Sequence, residues 1–156
     1  MNTTSQLAKH LRDVYFGGNW TVTHLKSALK GITWQQATTK VYDFNTIATL
    51  TFHIHYFVGV ASKVLDEGVL EGNDKLSFMH PPINSQQDWE TFLEQVFIAA
   101  EKFSTLIAQL PDDKLSNDFT DEKYCSYFRN ILGIIEHTHY HLGQIALLKK
   151  LVSKTD

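Results

Sequence analysis

Ile134-Ile135-Glu136-His137-Thr138-His139-Tyr140-His141-Leu142-Gly143-Gln144-Ile145, read together with Thr46-Ile47-Ala48-Thr49-Leu50-Thr51-Phe52-His53-Ile54, decides the fold of this chain. In both stretches apolar residues recur at intervals of three and four, the period of a helix with one buried face. Each helical residue advances about 100°, so with His137 at zero, His141 lies at about 40° and His139 at about 200°. Ile134, Thr138, Ile145 and Leu148 fall within about 100° of the first pair, which therefore borders the inward face. In the upstream stretch Leu50, Phe57, Ala61 and Val64 cluster within about 80° of His53, while His55 points the opposite way with Ala48 and Gly59. Two helices thus turn imidazoles toward the interior they share.

Working outward, the same periodicity runs through most of the chain, and alternating β patterns bounded by turns are few. A first helix is expected over Ser5–Phe16, burying Leu7, Leu11, Val14 and Tyr15 and stopping at Gly17-Gly18. Thr21–Tyr42 reads as a long ordered connection, with Thr33 capping a turn through Ala37. Asn45 is expected to cap the second helix, which runs to about Asp66 and is ended by Gly68 and Gly72. Residues 67–87, with Asn73, Pro81, Pro82 and Asn84, read as a loop. Ser85 and Asp88 predict a capping box for a third helix over Gln86–Gln109, with Trp89, Leu93, Val96, Phe97, Ala100, Phe103 and Ile107 inward and Pro111 beyond its end. The fourth helix is expected from Glu122 to Val152. Four long amphipathic helices with one long connection after the first predict an all-α four-helix bundle. No repeat or linker divides residues 1–156 into more than one domain.

The chain has 156 residues, with 14 Lys+Arg against 17 Asp+Glu and a net charge of −3, so it presents no cationic field for a nucleic-acid backbone. No apolar run reaches the length of a membrane span, and the polar Met1–Gln6 start lacks the pattern of a signal peptide. Lone Cys125 has no partner for an internal disulfide and fits a reducing compartment. These features predict a cytoplasmic protein with neither nucleic acid nor membrane as a partner. Cys125 is expected as a quiet buried thiol, since it lies about 18 Å along the helix from His137.

Eight histidines are many for this length. His137-x-x-x-His141 has the spacing that places two imidazoles on one metal ion. A buried His53 requires partners for its ring nitrogens, and two facing imidazoles supply them around a divalent cation. The pattern is not that of the zinc peptidases, because Thr138 stands where their catalytic glutamate follows the first histidine. Three neutral histidines leave coordination positions open, as in catalytic metal sites; zinc is the default, with nickel, iron and manganese also compatible. Gln144 either orients a group at the site or serves the surface. Arg129 reaches either a pocket mouth or a surface ion pair, and Tyr56 and Tyr140 lie off the ligand face. His10, His24 and His80 are expected on polar or loop surfaces, and His55 and His139 point away from the site.

The strings Asn45–Ile54 and Ile135–Ile145, with Gly18-Asn19-Trp20 and Leu110-Pro111, resemble the DinB/YfiT-like superfamily of helical-bundle metalloenzymes. The similarity spans essentially the whole chain, and its most specific element is His137-x-x-x-His141 followed by Gly143-Gln144. The resemblance implies a four-helix bundle, often homodimeric, with His53, His137 and His141 as the metal ligands. It also implies a transferase acting on a small-molecule substrate with a low-molecular-weight thiol. The residues alone leave a second reading open: a non-catalytic metal- or ligand-binding bundle serving as a sensor or interaction module. A homodimer is also expected from the aromatic face around Phe52, His55 and Tyr56.

Overall fold

The first amides of a helix have no carbonyl partner within it, and each α-helix of this chain begins at a side chain that accepts one of them. A computed structural model of the chain describes residues 2–153. Within them Asn2 caps α1 (Thr3–Phe16), His24 caps α2 (Leu25–Leu29) and Thr33 caps α3 (Trp34–Thr38). Thr46 caps α4 (Ile47–Glu67), Ser85 caps α5 (Gln86–Gln109) and Ser126 caps α6 (Tyr127–Val152). Short 3₁₀ turns occupy Leu76–Phe78, Asp112–Ser116 and Glu122–Tyr124, and no sheet forms among the described residues. The fold is all-α.

Three helix starts differ from the sequence expectation, and one capping box is displaced; α1 begins at Thr3 rather than Ser5. Thr46, not Asn45, caps α4, because its hydroxyl accepts the Thr49 amide at 3.0 Å. Ser85 does accept the Asp88 amide, but the Asp88 carboxylate reaches past it to the Asn84 amide, so the capping box is displaced by one residue. The last helix begins at Tyr127 rather than Glu122. Residues 117–127 instead fold back on themselves, with the Phe119 amide on the Cys125 carbonyl and the Tyr127 amide on the Asn117 carbonyl. Cys125 turns this corner at φ 61°, a left-handed conformation no α-helix can continue through. It is exposed, contrary to the expectation of a buried thiol.

The four long helices close a ring in which α1 packs on α5, α5 on α4, α4 on α6 and α6 on α1. The short α2 bridges α1 and α6, and α3 lies against α4 and α5. Leu7, Leu11, Val14 and Tyr15 of α1 are buried, as their spacing predicts, and so are Trp89, Val96, Ala100, Phe103 and Ile107 of α5. Leu93 and Phe97 are only half-buried at the rim. Polar bonds then set the register of these faces. Ser104 donates to the Ala8 carbonyl across the α1–α5 seam, and Arg12 grips Glu101 through two bonds of 2.9 and 2.7 Å on its exposed side. Beyond α5, the Asp112 carboxylate accepts the Thr3 and Thr4 amides, which ties the start of α1 to the following connection. No helix among the described residues is long and apolar enough to cross a membrane.

Trp89 links the long connection to this core. Its ring is wholly buried, and Nε1 donates to the Ile32 carbonyl at 3.0 Å between α2 and α3. Trp89→Ala removes the ring and leaves that carbonyl without its donor. Urea unfolding is expected to show a loss of about 3–5 kcal/mol, and a loss under about 1 kcal/mol would mean that the ring does not carry the packing assigned to it.

Candidate metal centre

The α4–α6 seam brings His53, His137 and His141 together. Their candidate ligand nitrogens all lie within 4.8 Å of one another. The ring centroids are 4.8 Å apart for His53–His137, 4.9 Å for His53–His141 and 4.5 Å for His137–His141. His53 and His141 are buried, and His137 is half-buried. The helical phase that separates these residues from His55 and His139 is therefore realised in space.

Neighbouring hydrogen bonds determine which nitrogens carry protons. Ser77 donates its hydroxyl hydrogen to the Asp74 carbonyl at 2.6 Å, so toward His53 its oxygen can only accept. The 2.7 Å contact between Ser77 Oγ and His53 Nδ1 therefore places the imidazole proton on Nδ1 and leaves Nε2 with a bare lone pair. At His141, Nδ1 lies 2.6 Å from Gln144 Oε1, an amide acceptor, so Nε2 is again the bare nitrogen. That Nε2 stands 3.0 Å from His137 Nε2. Two lone pairs this close need a hydrogen or a cation between them. Histidine ligands to zinc, with bonds of about 2.0–2.1 Å in a tetrahedral site, have nitrogens roughly 3.3 Å apart; the His137–His141 pair is near that spacing, and the three nitrogens, within 4.8 Å of one another, would draw together around a divalent ion.

Two of these orienting groups differ in how readable they are. Gln144 lies three residues after His141, on the turn the helical pattern had already placed beside it. Ser77 comes from residues 67–87, where no periodicity points to any particular side chain. It is wholly buried there, just after an Asx turn in which the Asn73 side-chain oxygen accepts the Lys75 amide at 3.0 Å. The next residue, Phe78, stacks on His53 with centroids 4.0 Å apart and an interplanar angle of 18°. Phe57 sets its ring edge-on to both His53 and His137. The local signal for this turn is Asn73 preceding Leu76-Ser77-Phe78, an Asx cap followed by one apolar and one aromatic residue.

Other residues singled out in the sequence serve elsewhere. Tyr56 accepts the Asn73 amide at 2.8 Å and so anchors the Ser77 loop rather than donating to the site. Tyr140 is exposed and receives a 3.3 Å bond from Gln144. Arg129 combines both roles weighed for it, pairing with Glu136 at 3.0 Å while lining the cleft of about 510 Å³ onto which His53 and His137 open. His24 is a helix cap, and His80 contacts the Pro81 carbonyl through Nδ1. His139 lies on the far side of α6 near His10, its ring 6.0 Å away. The aromatic face around Phe52, His55 and Tyr56 is partly covered within the chain, where Phe92 of α5 packs on Phe52 and His55 and His80 packs on Phe52.

Comparison with known proteins returns no match: no family model, no curated protein and no solved structure is significantly similar to this chain.

The electrostatics of the cluster favour neutral rings. Burial, reinforced by the neighbouring His141 and His53, pushes His137 down to about 4. Burial also lowers His53, with His141 adding to the effect and Asp74 opposing it, and it lowers His141 against the bond that ring donates to Gln144. As pH falls from about 6.5, the ordinary imidazole value, toward 4, the unfolded chain takes up protons that the folded cluster resists. Metal-free protein should therefore lose thermal stability progressively across that window, and His137→Gln should flatten the decline. A Tm that stays level from pH 7 to 4 in the wild-type protein would contradict this account.

Proposed function

We propose that the chain is a divalent-metal-dependent enzyme of the DinB/YfiT-like kind, a four-helix bundle whose ion is held by His53, His137 and His141. The observation that carries this reading is the convergence of three imidazoles from α4 and α6, two of them with Nδ1 occupied and Nε2 bare. A ring that ligates through Nε2 needs its proton on Nδ1, and the groups that hold such ligands in place tune both affinity and orientation. Zinc is the ion best suited to three imidazoles. No carboxylate or thiol joins the cluster among the described residues, so the set leaves at least one coordination position for water or substrate.

The reaction proposed is attack of a low-molecular-weight thiol on an electrophilic small-molecule substrate: a carbon–sulfur bond forms as the bond to the electrophile's leaving group breaks, and that group departs with the electron pair while the thiol's proton passes to solvent. A bound divalent ion would supply a Lewis acid that favours the deprotonated form of a water or thiol at neutral pH. The chain's own residues do the rest. Ser77 and Gln144 hold the Nδ1 protons of His53 and His141, which keeps the bare nitrogens directed into the cluster. Phe78 and Phe57 cover two sides of His53 and restrict water there. The side formed by His53, His137 and Arg129 opens to the cleft and gives a ligand its way in. A homodimer belongs to the same proposal; Phe44 and Leu147, 58% and 61% exposed, are candidate contacts.

The deciding experiment is elemental analysis of protein purified without a nickel column. About one divalent ion per chain is expected for the wild type and none for the His53→Ala, His137→Ala, His141→Ala triple variant. Substoichiometric metal unaffected by the substitutions would remove the site. In the same preparation Ser77→Ala should retain the ion with affinity about 10–100-fold weaker, measured by chelator competition, whereas Ser77→Thr should restore it. Light scattering at micromolar concentration should give twice the 17.9 kDa chain mass; a strict monomer would end the dimer proposal.

A further inference from the structure

A second cavity, of about 330 Å³, adjoins the cleft at the histidine cluster. The two share Phe57, Asp74, Asn130 and Ile134 as lining residues, so they meet along one edge. Beyond that edge the walls turn apolar: Val60 and Ala61 from α4, Leu70 from the following loop, and Phe119 and Tyr124 from the connection before α6. Gly72 lies at the same wall, and a Cβ there would meet the Val60 side chain at 3.4 Å.

The charges around the two cavities are few. Apart from the histidines, Asp74 and Arg129 are the ionisable side chains bearing charge at neutral pH along the cleft. Arg129 is already paired with Glu136. Asp74 lines both cavities, at the edge of the cleft that His53 also lines. A divalent ion would draw the coordinating head, but a carboxylate on the tail would meet the like charge of Asp74 at the shared edge, while Arg129 stands in an exposed pair with Glu136. An uncharged apolar group would meet Phe57, Ile134 and the chamber behind them.

We propose that the metal site takes small molecules with an uncharged apolar tail, the coordinating head at the histidines and the tail in the chamber walled by Val60, Leu70, Phe119 and Ile134, and that Asp74 selects against anionic ligands. This inference rests on the metal reading above and names the substrate class for it. Burying one methylene contributes enough to tighten binding about fourfold.

Binding to cobalt(II)-loaded protein, followed through the thiolate-to-cobalt absorption, tests this without any turnover. Ethanethiol, butanethiol and hexanethiol serve as probes, each releasing its thiol proton to solvent on binding. Affinity should rise about fourfold per methylene until the chamber is filled, and Leu70→Trp or Val60→Trp, which occupy the chamber, should flatten that rise while leaving ethanethiol unchanged. Mercaptopropionate should bind at least tenfold more weakly than propanethiol, and Asp74→Asn should narrow the gap. A series flat with chain length in the wild type, a slope untouched by both tryptophan variants, or an anionic thiol that binds as well as the neutral one would each overturn the proposal. If cobalt does not bind, the metal reading fails. The chamber is then judged by n-hexanol in metal-free protein, which should shift the methyl resonances of Val60, Leu70 and Ile134; no shift would overturn it too.

Discussion

Placing three imidazoles at one level of a helical bundle is the constraint around which the rest of this molecule is arranged. His137 and His141 are spaced by the backbone of α6 itself, but His53 must arrive across the α4–α6 seam, and a slip of one residue would rotate it about 100° out of the cluster. Both helices bury apolar residues, including Ile54 and Val58 of α4 and Ile135 and Ile145 of α6, all at most 2% exposed, with Thr51 and Thr138 wholly buried among them. A polar cluster is thus set into largely apolar packing.

The loop after α4 completes the arrangement. Tyr56 fixes the Asn73 amide, the Asn73 side chain closes an Asx turn on the Lys75 amide, and the 3₁₀ turn that follows brings Ser77 and Phe78 to two sides of the His53 ring. Each step is a local hydrogen bond of ordinary length, yet together they determine which nitrogen of a buried imidazole carries the proton. The same loop supplies Asp74 and Leu70 to the cavities beside the cluster. One connection therefore serves both the chemistry of the nitrogens and the shape of the space they face.

Much of this was legible in the sequence because helices advertise themselves through periodicity. The inward faces of α1 and α5, the division of His53 from His55 and of the His137 pair from His139, and the place of Gln144 one turn beyond His141 all follow from rotation about an axis. Ser77 was not legible, because a 3₁₀ turn of three residues has no period to detect and its burial depends on a distant partner. Cys125 misled for a related reason. The stretch before α6 looks continuous with the helix, but the pairing of residues 117–119 with 125–127 ends the pattern and turns the thiol outward. Asn45 and Thr46 are both good caps, and nothing local separates two adjacent candidates.

Two of the three tryptophans, finally, stand at opposite extremes of environment, with Trp34 half-buried between them. Trp89 is wholly enclosed with its indole nitrogen on the Ile32 carbonyl, whereas Trp20, next to the Gly17-Gly18 turn, is about as accessible as in an unfolded chain, at 102%. The chain therefore contains its own optical reference. Emission from Trp20 stays solvent-like whether or not the core is intact, while Trp89 changes colour with it, so once half-buried Trp34 is replaced by phenylalanine a dynamic quencher in the buffer silences the first and leaves the second as a direct reporter of the interior.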